Sequence, residues 1–286
     1  ARYDERQCVC DLRRAGAVKY CACMSDAQEN KPEGQSNNLE LQGSRQFASW
    51  LYDEGITLAF STYQAGKLFF IGTNPEPDEA GKKLYIFNRT INRCMGLCAA
   101  DLELYVSSLY QIYRFRASGE NTDLPCFIPQ VSYFTGDIDA HDMAREDSGR
   151  LVFAATLFNC VATVDENFSF RPIWKPPFIN KLVPEDRCHL NGLGLRDGRA
   201  RYITAVSKSN IVDGWREHRQ GGGIVMDMAA NSKRSLFVRA FYGAWPCIRI
   251  TPLWASPKNA ASGPFRDCRS RIVWIKKGCL RAVRCW

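Results

Sequence analysis

The sequence has no apolar run long enough to cross a lipid bilayer. A membrane-spanning helix needs about 20 predominantly apolar residues, but Asp101 and Glu103 interrupt the best stretch, residues 95–110. The start of the chain also lacks the apolar stretch of a secretory signal, since four of its first six residues are charged. We therefore expect a cytoplasmic protein with no membrane partner.

Collagen-like and low-complexity segments are absent too, and 45% of the 286 residues are apolar. This fraction is sufficient for a large buried core. A chain of this length accommodates one large all-β domain as readily as two domains of ordinary size. The composition therefore indicates a globular protein.

Positive charge is unevenly distributed along the chain. The whole chain has 38 Lys and Arg against 30 Asp and Glu. Residues 229–286 hold 12 of the basic residues and a single acidic one, Asp267, so residues 1–228 have a net charge of −3. A negative body would repel the phosphates that attract a basic tail. Nucleic acid is therefore disfavoured as a partner.

Composition divides the chain into three parts. Residues 1–46 lack periodicity and end in a polar stretch, which predicts a disordered or linker arm. Residues 47–228 carry the regular pattern of a folded body. Residues 229–286 contain four of the seven Trp and four of the 13 Cys. So abrupt a change predicts either a divergent segment or one read in a shifted frame.

The body repeats one pattern four times: an apolar strand, a turn, a second apolar strand, and then a third strand. The second strands begin at Leu68, Leu104, Leu151 and Arg201, which are 36, 47 and 50 residues apart. Propeller blades repeat at about 40 to 50 residues, whereas sandwich strands do not recur in this way. We predict an all-β, β-propeller-like fold with four recognisable blades. The hairpins cover residues 56–72, 95–107, 141–154 and 191–204, and the third strands cover residues 84–88, 111–116, 160–165 and 223–227.

Four blades leave the closure of the ring open. Residues 271–275 of the tail (RIVWI) are the best candidate for an atypical closing strand. Without such a strand, the ring is incomplete and has an exposed edge. The inner strands are expected to start at Ile56, Met95, His141 and Asn191, and no helix of ordinary length is expected in the body.

Five strings in the body are long enough to be specific. They are FSTYQAGKL (residues 60–68), VSYFTGD (131–137), WKPPFI (174–179), PEDRCHLNG (184–192) and VDGWR (212–216). Together they resemble a bacterial family of conserved hypothetical proteins that carries a domain of unknown function, over about residues 47–228. The resemblance implies a propeller-like fold and no established activity.

The densest group of polar side chains lies at the start of two predicted inner strands. His141 occupies the position in its repeat that Asn191 occupies in the next, and His189 shares a strand face with Asn191. Since equivalent inner strands start around one channel mouth, these residues should form one site there. The predicted ligand-binding residues are His141, Asp142, His189, Asn191, Asp139 and Arg187.

A divalent cation is one occupant that this site could hold. Imidazole, carboxylate and amide groups are metal ligands, and we predict His141, Asp142 and Asn191 in that role. Residues 191–193 with Asp197 and Gly198 also resemble the calcium-ligand strand of gluconolactonase-type propellers. The alternative is structural, with His141 and Asp142 capping a blade by bonding backbone groups.

Two functions agree with these observations, and no catalytic residue is assigned. The first is a binding module with a small-molecule or protein ligand at the channel mouth. The second is a metal-dependent hydrolase of the lactonase type. The residues do not decide between a binding protein and an enzyme.

The central cysteines are odd in number and lie in apolar strings. This pattern predicts buried free thiols in a reducing compartment. They are Cys94, Cys98, Cys126, Cys160 and Cys188.

Overall fold

A computed structural model describes residues 44, 46–73, 84–117, 126–229, 235–237 and 270–276. The chain divides into two compact units, Ala1–Glu40 and Leu41–Trp286, and the described residues belong to the second. Helix is scarce in them: α1 (Phe47–Glu54) precedes the strands, and one 3-10 helix covers Gly214–His218. None of the helices in these ranges has both the length and the apolar character that crossing a membrane requires.

Sixteen strands lie in the described ranges, and most of them fall where the hydrophobic pattern predicts. The first eight are β1 (Ile56–Thr62), β2 (Lys67–Thr73), β3 (Leu84–Thr90), β4 (Leu97–Ala100), β5 (Glu103–Ser107), β6 (Gln111–Ala117), β7 (Phe127–Phe134) and β8 (Ala140–Arg145). The others are β9 (Leu151–Ala155), β10 (Cys160–Thr163), β11 (Arg171–Trp174), β12 (Leu190–Arg196), β13 (Arg199–Ala205), β14 (Ile224–Asp227), β15 (Ser235–Phe237) and β16 (Ser270–Lys276).

The described strands form four antiparallel sheets of four strands each. Sheet 2 runs from β4 to β7, sheet 3 from β8 to β11 and sheet 4 from β12 to β15, and in each the strands are neighbours in chain order. Sheet 1 has the order β16-β1-β2-β3. The prediction of an all-β fold is therefore confirmed, and each predicted hairpin and third strand is present.

Strand β16 comes from the predicted tail and pairs antiparallel with β1 along its whole length, from Ile56 opposite Lys276 to Thr62 opposite Ser270. The segment proposed as a closing strand, residues 271–275, thus lies within a sheet. The expectation that Ile56 starts the inner strand of its sheet is wrong, because β1 has a partner on both sides. From sheet to sheet, the strands in contact include β16 with β4, β4 with β8, and both β8 and β9 with β12.

The rest of the predicted tail and arm can be followed only in part. Strand β15 pairs with β14 and completes sheet 4. Trp245, Trp254 and Trp286 lie outside the described residues, as does the arm apart from Ser44 and Gln46. The proposed nature of those two segments therefore stays a prediction.

Apolar side chains fill the spaces between successive sheets. Strands β9 and β10 of sheet 3 are buried on both faces, and their sequences, LVFAA and CVAT, accordingly show no alternation of apolar and polar residues. Sheet 3 packs on sheet 2 through one face and on sheet 4 through the other. The buried clusters between the sheets include Leu68 and Leu104 for sheets 1 and 2, Tyr105 and Phe153 for sheets 2 and 3, and Val152 and Leu193 for sheets 3 and 4.

Three buried hydroxyl groups join each sheet to the next at equivalent places. Each lies at or near the end of a strand and donates to a backbone carbonyl at or just before the first strand of the following sheet. Since the donors and acceptors recur at nearly constant spacing, the repeat found in the sequence is also a repeat of contacts. The bonds are Ser61 to Met95 (2.6 Å), Ser107 to Ala140 (3.1 Å) and Thr156 to Leu190 (2.6 Å).

The five central cysteines are free thiols in the described structure, as predicted. Cys94, Cys98, Cys160 and Cys188 are buried as predicted, but the prediction of burial is wrong for Cys126, which is exposed. Burial raises the pKa of the Cys160 thiol to about 12. A thiol of this kind is protonated at neutral pH and is therefore a poor nucleophile.

Candidate functional site

A cleft of about 480 Å³ lies where the connections between strands of the four sheets converge. Tyr63 reaches it from the β1–β2 turn, and Arg93 from the connection that enters β4. Sheet 3 supplies Asp139 just before β8, and sheet 4 supplies His189 just before β12. The remaining wall residues are Gln64, Asp137, Leu157, Pro184, Glu185, Asp186, Val212, Asp213, Trp215 and Arg216.

Three wall residues occupy the same place in their repeats and share an uncommon backbone conformation. Arg93, Asp139 and His189 have φ angles of 51°, 48° and 54°. Each comes one or two residues before the carbonyl that accepts the hydroxyl bond from the preceding sheet, that of Met95, Ala140 or Leu190. Positive φ is sterically unfavourable for residues other than glycine. Of the eight described non-glycine residues with positive φ, five line the cleft, the other two being Asp186 and Asp213. Strained backbone is therefore concentrated at the cleft.

Arg93 connects three sides of the cleft. Its guanidinium donates to the Tyr63 hydroxyl through Nε (2.9 Å) and Nη2. It also donates to Asp137 Oδ2 at 3.2 Å and to Asp139 Oδ1 at 3.3 Å. Burial lowers the pKa of Arg93, but the hydrogen bond to Tyr63 and the nearby negative groups outweigh this effect and raise it. The arginine therefore stays charged and holds the two aspartates in place.

Asp139 joins Arg93 to a buried histidine. The Nε2 atom of His141 lies 3.1 Å from Asp139 Oδ2 and donates to it, because an ionised carboxylate only accepts hydrogen bonds. Burial would raise the pKa of Asp139, but the hydrogen bond from His141 and the charges of His141, Arg93 and His189 lower it to about 2. Asp139 is therefore a carboxylate at any physiological pH.

A second Asp–His pair lies beside the first. The Nδ1 atom of His189 is 2.7 Å from Asp186 Oδ2, and the rings of His189 and His141 meet edge to face with centroids 4.6 Å apart. Because Asp186 binds Nδ1–H, the other nitrogen of His189, Nε2, is the one that can accept a proton. No described residue makes a hydrogen bond to Nε2. This arrangement can act as a hydrogen-bond acceptor or as a general base.

Trp215 covers the other side of His189. The two rings are stacked, with centroids 3.9 Å apart and planes inclined by 23°. The guanidinium groups of Arg216 and Arg219 lie over the Trp215 ring at 4.7 and 4.9 Å from its centroid. Trp215 is thus fixed by cation–π and stacking contacts, although it lies in a short 3-10 helix within a long connection.

Two buried polar atoms of the wall lack a hydrogen-bond partner among the described residues. They are Oδ1 of Asp186 and Nε1 of Trp215. The first is an acceptor and the second a donor. Both belong to residues that contact the His189 ring, and both atoms are buried away from solvent.

The structure brings several of the predicted residues together. Asp139 and His189 line the cleft, and His141, whose side chain is 1% exposed, lies directly behind them in contact with both. The sequence argument that neighbouring sheets place these residues around one opening thus leads to a real cluster. Their role in binding a ligand stays a prediction.

Asp142 has a structural position. Its Oδ1 accepts a hydrogen bond from the N–H of Met143 (2.9 Å), and its Oδ2 accepts one from the N–H of Leu193 (2.8 Å). Both carboxylate oxygens are thus engaged by backbone, and the second bond joins sheet 3 to sheet 4. The structural alternative for Asp142, the capping of backbone groups, agrees with this geometry, and Asp142 is not part of the cleft wall.

Arg187 is also engaged behind the cleft. Its guanidinium donates to Glu185, Asn180 and Asn210, and its side chain is 6% exposed. Since Glu185 lines the cleft and Arg187 does not, the geometry assigns Arg187 to holding the loop. A direct contact of Arg187 with a ligand would require these bonds to break.

The metal site predicted from His141, Asp142 and Asn191 stays a prediction. Asn191 lies on β12 outside the cleft wall, and both Asp142 oxygens are taken up by backbone N–H groups. In the described part of the chain, no three His, Cys, Asp or Glu side chains are grouped to hold a metal ion.

Sequence reasoning missed Tyr63, Arg93 and Trp215. Tyr63 and Trp215 lie within two of the strings that carry the family resemblance, FSTYQAGKL and VDGWR. An aromatic residue in a connection inside such a string is a signal that could have indicated a binding residue. Arg93 could have been found by extending the repeat, because it lies 46 residues before Asp139.

Comparison with known proteins gives a family. The model of the domain of unknown function DUF4915 matches residues 45–235. The chain belongs to this family. The match extends the region expected from the sequence, residues 47–228, by a few residues at each end, and it ends at the first residue of β15.

Other comparisons add little about this family member. No curated protein matches the chain. A solved structure of a luciferin-regenerating enzyme matches 53% of this chain with 8% sequence identity and a TM-score of 0.29. The match covers 54% of that enzyme, so the chain spans about half its length. A similarity this low carries no argument about function.

Proposed function

We propose that this DUF4915 protein is a binding module that takes a small polar molecule into the cleft. In this proposal the four sheets are blades of a propeller-like fold, and the cleft is the mouth of its channel. The residues that contact the ligand come from the connections between strands, as in many binding proteins built on rigid sheets. The volume of about 480 Å³ falls within the range of small-molecule sites, roughly 300 to 1,000 Å³.

One observation carries the proposal: strained backbone and charged side chains coincide at the cleft. Arg93, Asp139 and His189 adopt positive φ at equivalent places in three sheets, and each directs a polar group to the same cleft. Each such conformation costs about 1 kcal/mol or more. Glycine at these three positions would avoid the strain. Because other residues stand there instead, we infer that their side chains have a role in the cleft.

A steric block of the cleft tests this proposal. Val212 lines the cleft and Ile211 does not, yet both are apolar side chains exposed by 59% and 70%. We expect Val212→Trp to reduce the binding of every cleft ligand by at least tenfold, because the larger ring occupies its volume. Ile211→Trp, the matched control, should bind normally.

The measurement is ligand-observed NMR on a mixture of hexoses, amino acids, diamines, carboxylic acids and nucleosides. Compounds that bind the wild-type chain and the Ile211→Trp variant, but not Val212→Trp, occupy the cleft. If all bound compounds bind the three proteins equally, the cleft is not the site and the proposal fails.

A hydrolase is the second candidate, because the Asp186–His189 pair leaves His189 Nε2 available as a base. A positioned general base typically accelerates proton transfer by about 10²- to 10⁴-fold. His189→Asn should therefore abolish the hydrolysis of p-nitrophenyl acetate or of a δ-lactone, whereas the exposed His218→Asn should not. Equal rates in both variants would remove this candidate, and metal analysis of the purified protein would test the metal-dependent version of it.

The setting that we propose is the cytoplasm of a bacterium. The five free cysteines in the described residues support a reducing compartment, where disulfides are rare. The partner is then a small molecule rather than nucleic acid, since the cleft wall contains more carboxylates than arginines.

A further inference from the structure

Two exposed arginines lie close together over one tryptophan at the rim of the cleft. The guanidinium carbon of Arg216 is 4.7 Å from the centroid of the Trp215 ring, and that of Arg219 is 4.9 Å from it. Since both distances start at the same point, the two carbons cannot be farther apart than the two distances combined. Arg216 lines the cleft and Arg219 does not. Two positive charges are thus held next to each other at its edge.

The local backbone explains why these two side chains are neighbours. The 3-10 helix Gly214–His218 has about three residues per turn, so side chains at positions i and i+3 lie on the same side of it. Arg216 and Arg219 have this spacing, and Arg219 continues the helical conformation with φ −57° and ψ −32°. Glu217, which comes between them in the sequence, is one position off this row. The helix therefore places the two arginines on one side.

The pair has more positive charge than its protein partners neutralise. Asp213 Oδ1 accepts hydrogen bonds from Nε and Nη2 of Arg216, both at 3.0 Å. Arg216 Nη1 has no hydrogen-bond acceptor among the described residues, and the Arg219 side chain has neither an acceptor nor an ion pair among them. Two like charges this close repel each other. An anion that contacts both guanidinium groups removes this repulsion.

A rigid base holds the arginines in place. Trp215 is 4% exposed, and its ring stacks on that of His189 with centroids 3.9 Å apart. After Arg219 the chain packs tightly, because a Cβ atom at Gly222 would lie 2.5 Å from the His218 carbonyl oxygen and 2.7 Å from that of Val206. A guanidinium over an aromatic ring uses its face for that contact and keeps the N–H groups at its edge available. Donors that solvent can reach are thus positioned before any ligand arrives.

We propose that Arg216 and Arg219 form a binding site for an oxyanion, and that the phosphate group of a small molecule is the group it takes. Phosphate offers three oxygens and up to two negative charges, so it can accept from both guanidinium groups at once. A carboxylate has two oxygens and matches a single guanidinium fork. Arg93 does not provide such a site, because its guanidinium already donates to Tyr63 and to two aspartates. The proposed site goes beyond the binding of a polar molecule inside the cleft and does not depend on it.

The test is isothermal titration calorimetry with inorganic phosphate at low ionic strength, since salt screens exposed charges. Phosphate should bind the wild-type chain. Arg219→Gln should weaken this binding about fivefold or more, because it removes charge-assisted hydrogen bonds at an exposed site. Arg199→Gln is the matched control, since Arg199 is also exposed and its side chain has no partner among the described residues, but it lies at the far end of β13. It should bind phosphate as the wild type does.

A second measurement uses the unchanged protein. Phenylglyoxal modifies exposed arginines, and mass spectrometry of peptides shows which ones have reacted. Bound phosphate should slow the modification of Arg216 and Arg219 and leave that of Arg199 unchanged. This result does not require any variant to fold.

Three outcomes would overturn the proposal. Phosphate does not bind, or it binds the Arg219→Gln variant as tightly as the wild type, or acetate binds as tightly as phosphate. In the last case a single guanidinium is sufficient and the paired site is wrong. Because all three results concern the rim alone, they leave the proposed binding inside the cleft, which Val212→Trp tests, to be decided separately.

Discussion

Asp139 is the residue through which the charges of the cleft are connected. It accepts hydrogen bonds from Arg93 on one oxygen and from His141 on the other. The low pKa of about 2 means that the folded state binds a proton at this carboxyl less readily than the unfolded chain, whose ordinary value is 3.8. A depressed pKa contributes stability above the unfolded value, and this contribution is lost as the pH falls towards the folded value.

We therefore expect Asp139→Asn to lower the free energy of unfolding by about 2 kcal/mol near pH 6. The difference from the wild type should shrink between pH 4 and pH 2, where the wild-type carboxyl becomes protonated. Urea unfolding at pH 6, 4 and 2.5 measures it. Asp197→Asn, at a side chain that is 91% exposed, is the control and should change little at any pH. A difference that does not depend on pH would contradict the proposed ion pairs.

Side-chain identity alone gave an incomplete picture of the cleft. Asp139, His141 and His189 could be found from the sequence because they cluster near strand starts at the period of the repeat. Asp142 follows His141 directly in the sequence, but its carboxylate accepts hydrogen bonds from the N–H groups of Met143 and of Leu193, the latter 51 residues away. The sequence shows which polar residues lie near a strand start, but it does not show whether each side chain bonds the backbone of a neighbouring sheet or lines the cleft.

At the scale of the elements, the buried hydroxyl bonds are the connections that fix one sheet against the next. Thr156→Val removes the donor to Leu190 while keeping the shape of the side chain. The carbonyl of Leu190 is then left buried without this partner, so we expect a loss of about 1 to 3 kcal/mol. Chemical denaturation of the purified variant measures it.

Ser148→Ala is the control for Thr156→Val, since Ser148 lies in the exposed turn between β8 and β9. It should change the free energy of unfolding by less than about 0.5 kcal/mol. If Thr156→Val is equally neutral, the hydroxyl bond does not contribute to the packing of sheets 3 and 4. Ser107→Ala provides a second test of the same repeat between sheets 2 and 3.

The strands were more predictable than their connections. Hairpins such as β8–β9 have a polar turn, Asp147 to Gly149, between two apolar segments, and that local pattern is sufficient. The fourth strands β7 and β11 were not predicted, because their residues are largely exposed and lack an apolar signal. Edge strands of this kind are formed by pairing with a neighbour, which a single-sequence pattern does not reveal.

At the scale of the whole molecule, the pairing of β16 with β1 joins residues that are farther apart in the sequence than those of any other described strand pair. Proline cannot donate to a strand ladder, and it disrupts a strand that has partners. Val273 lies opposite Ala59 in the middle of β16. We therefore expect Val273→Pro to lower the melting temperature by several degrees and to expose the edge of β1. Differential scanning calorimetry and limited proteolysis measure these effects.

Glu166→Pro, in the exposed turn after β10, is the control for Val273→Pro and should lower the melting temperature less. Ser209→Pro would be a poorer control, because Ser209 makes hydrogen bonds of its own. If Val273→Pro melts at the wild-type temperature, the tail does not complete sheet 1 in solution. The proposal that the tail is a divergent or frame-shifted segment would then be strengthened.

The position of β16 also affects the chain while it is being made. Strand β1 leaves the ribosome before its partner, which follows about 210 residues later, a delay of roughly 10 to 40 s at ordinary rates of synthesis. During that interval β1 has an open edge that can pair with another nascent chain. Sheets 2 and 3 need no such late partner and can assemble as they emerge. Expression conditions that slow elongation should therefore increase aggregation of this protein, and a chaperone that covers exposed strands should reduce it.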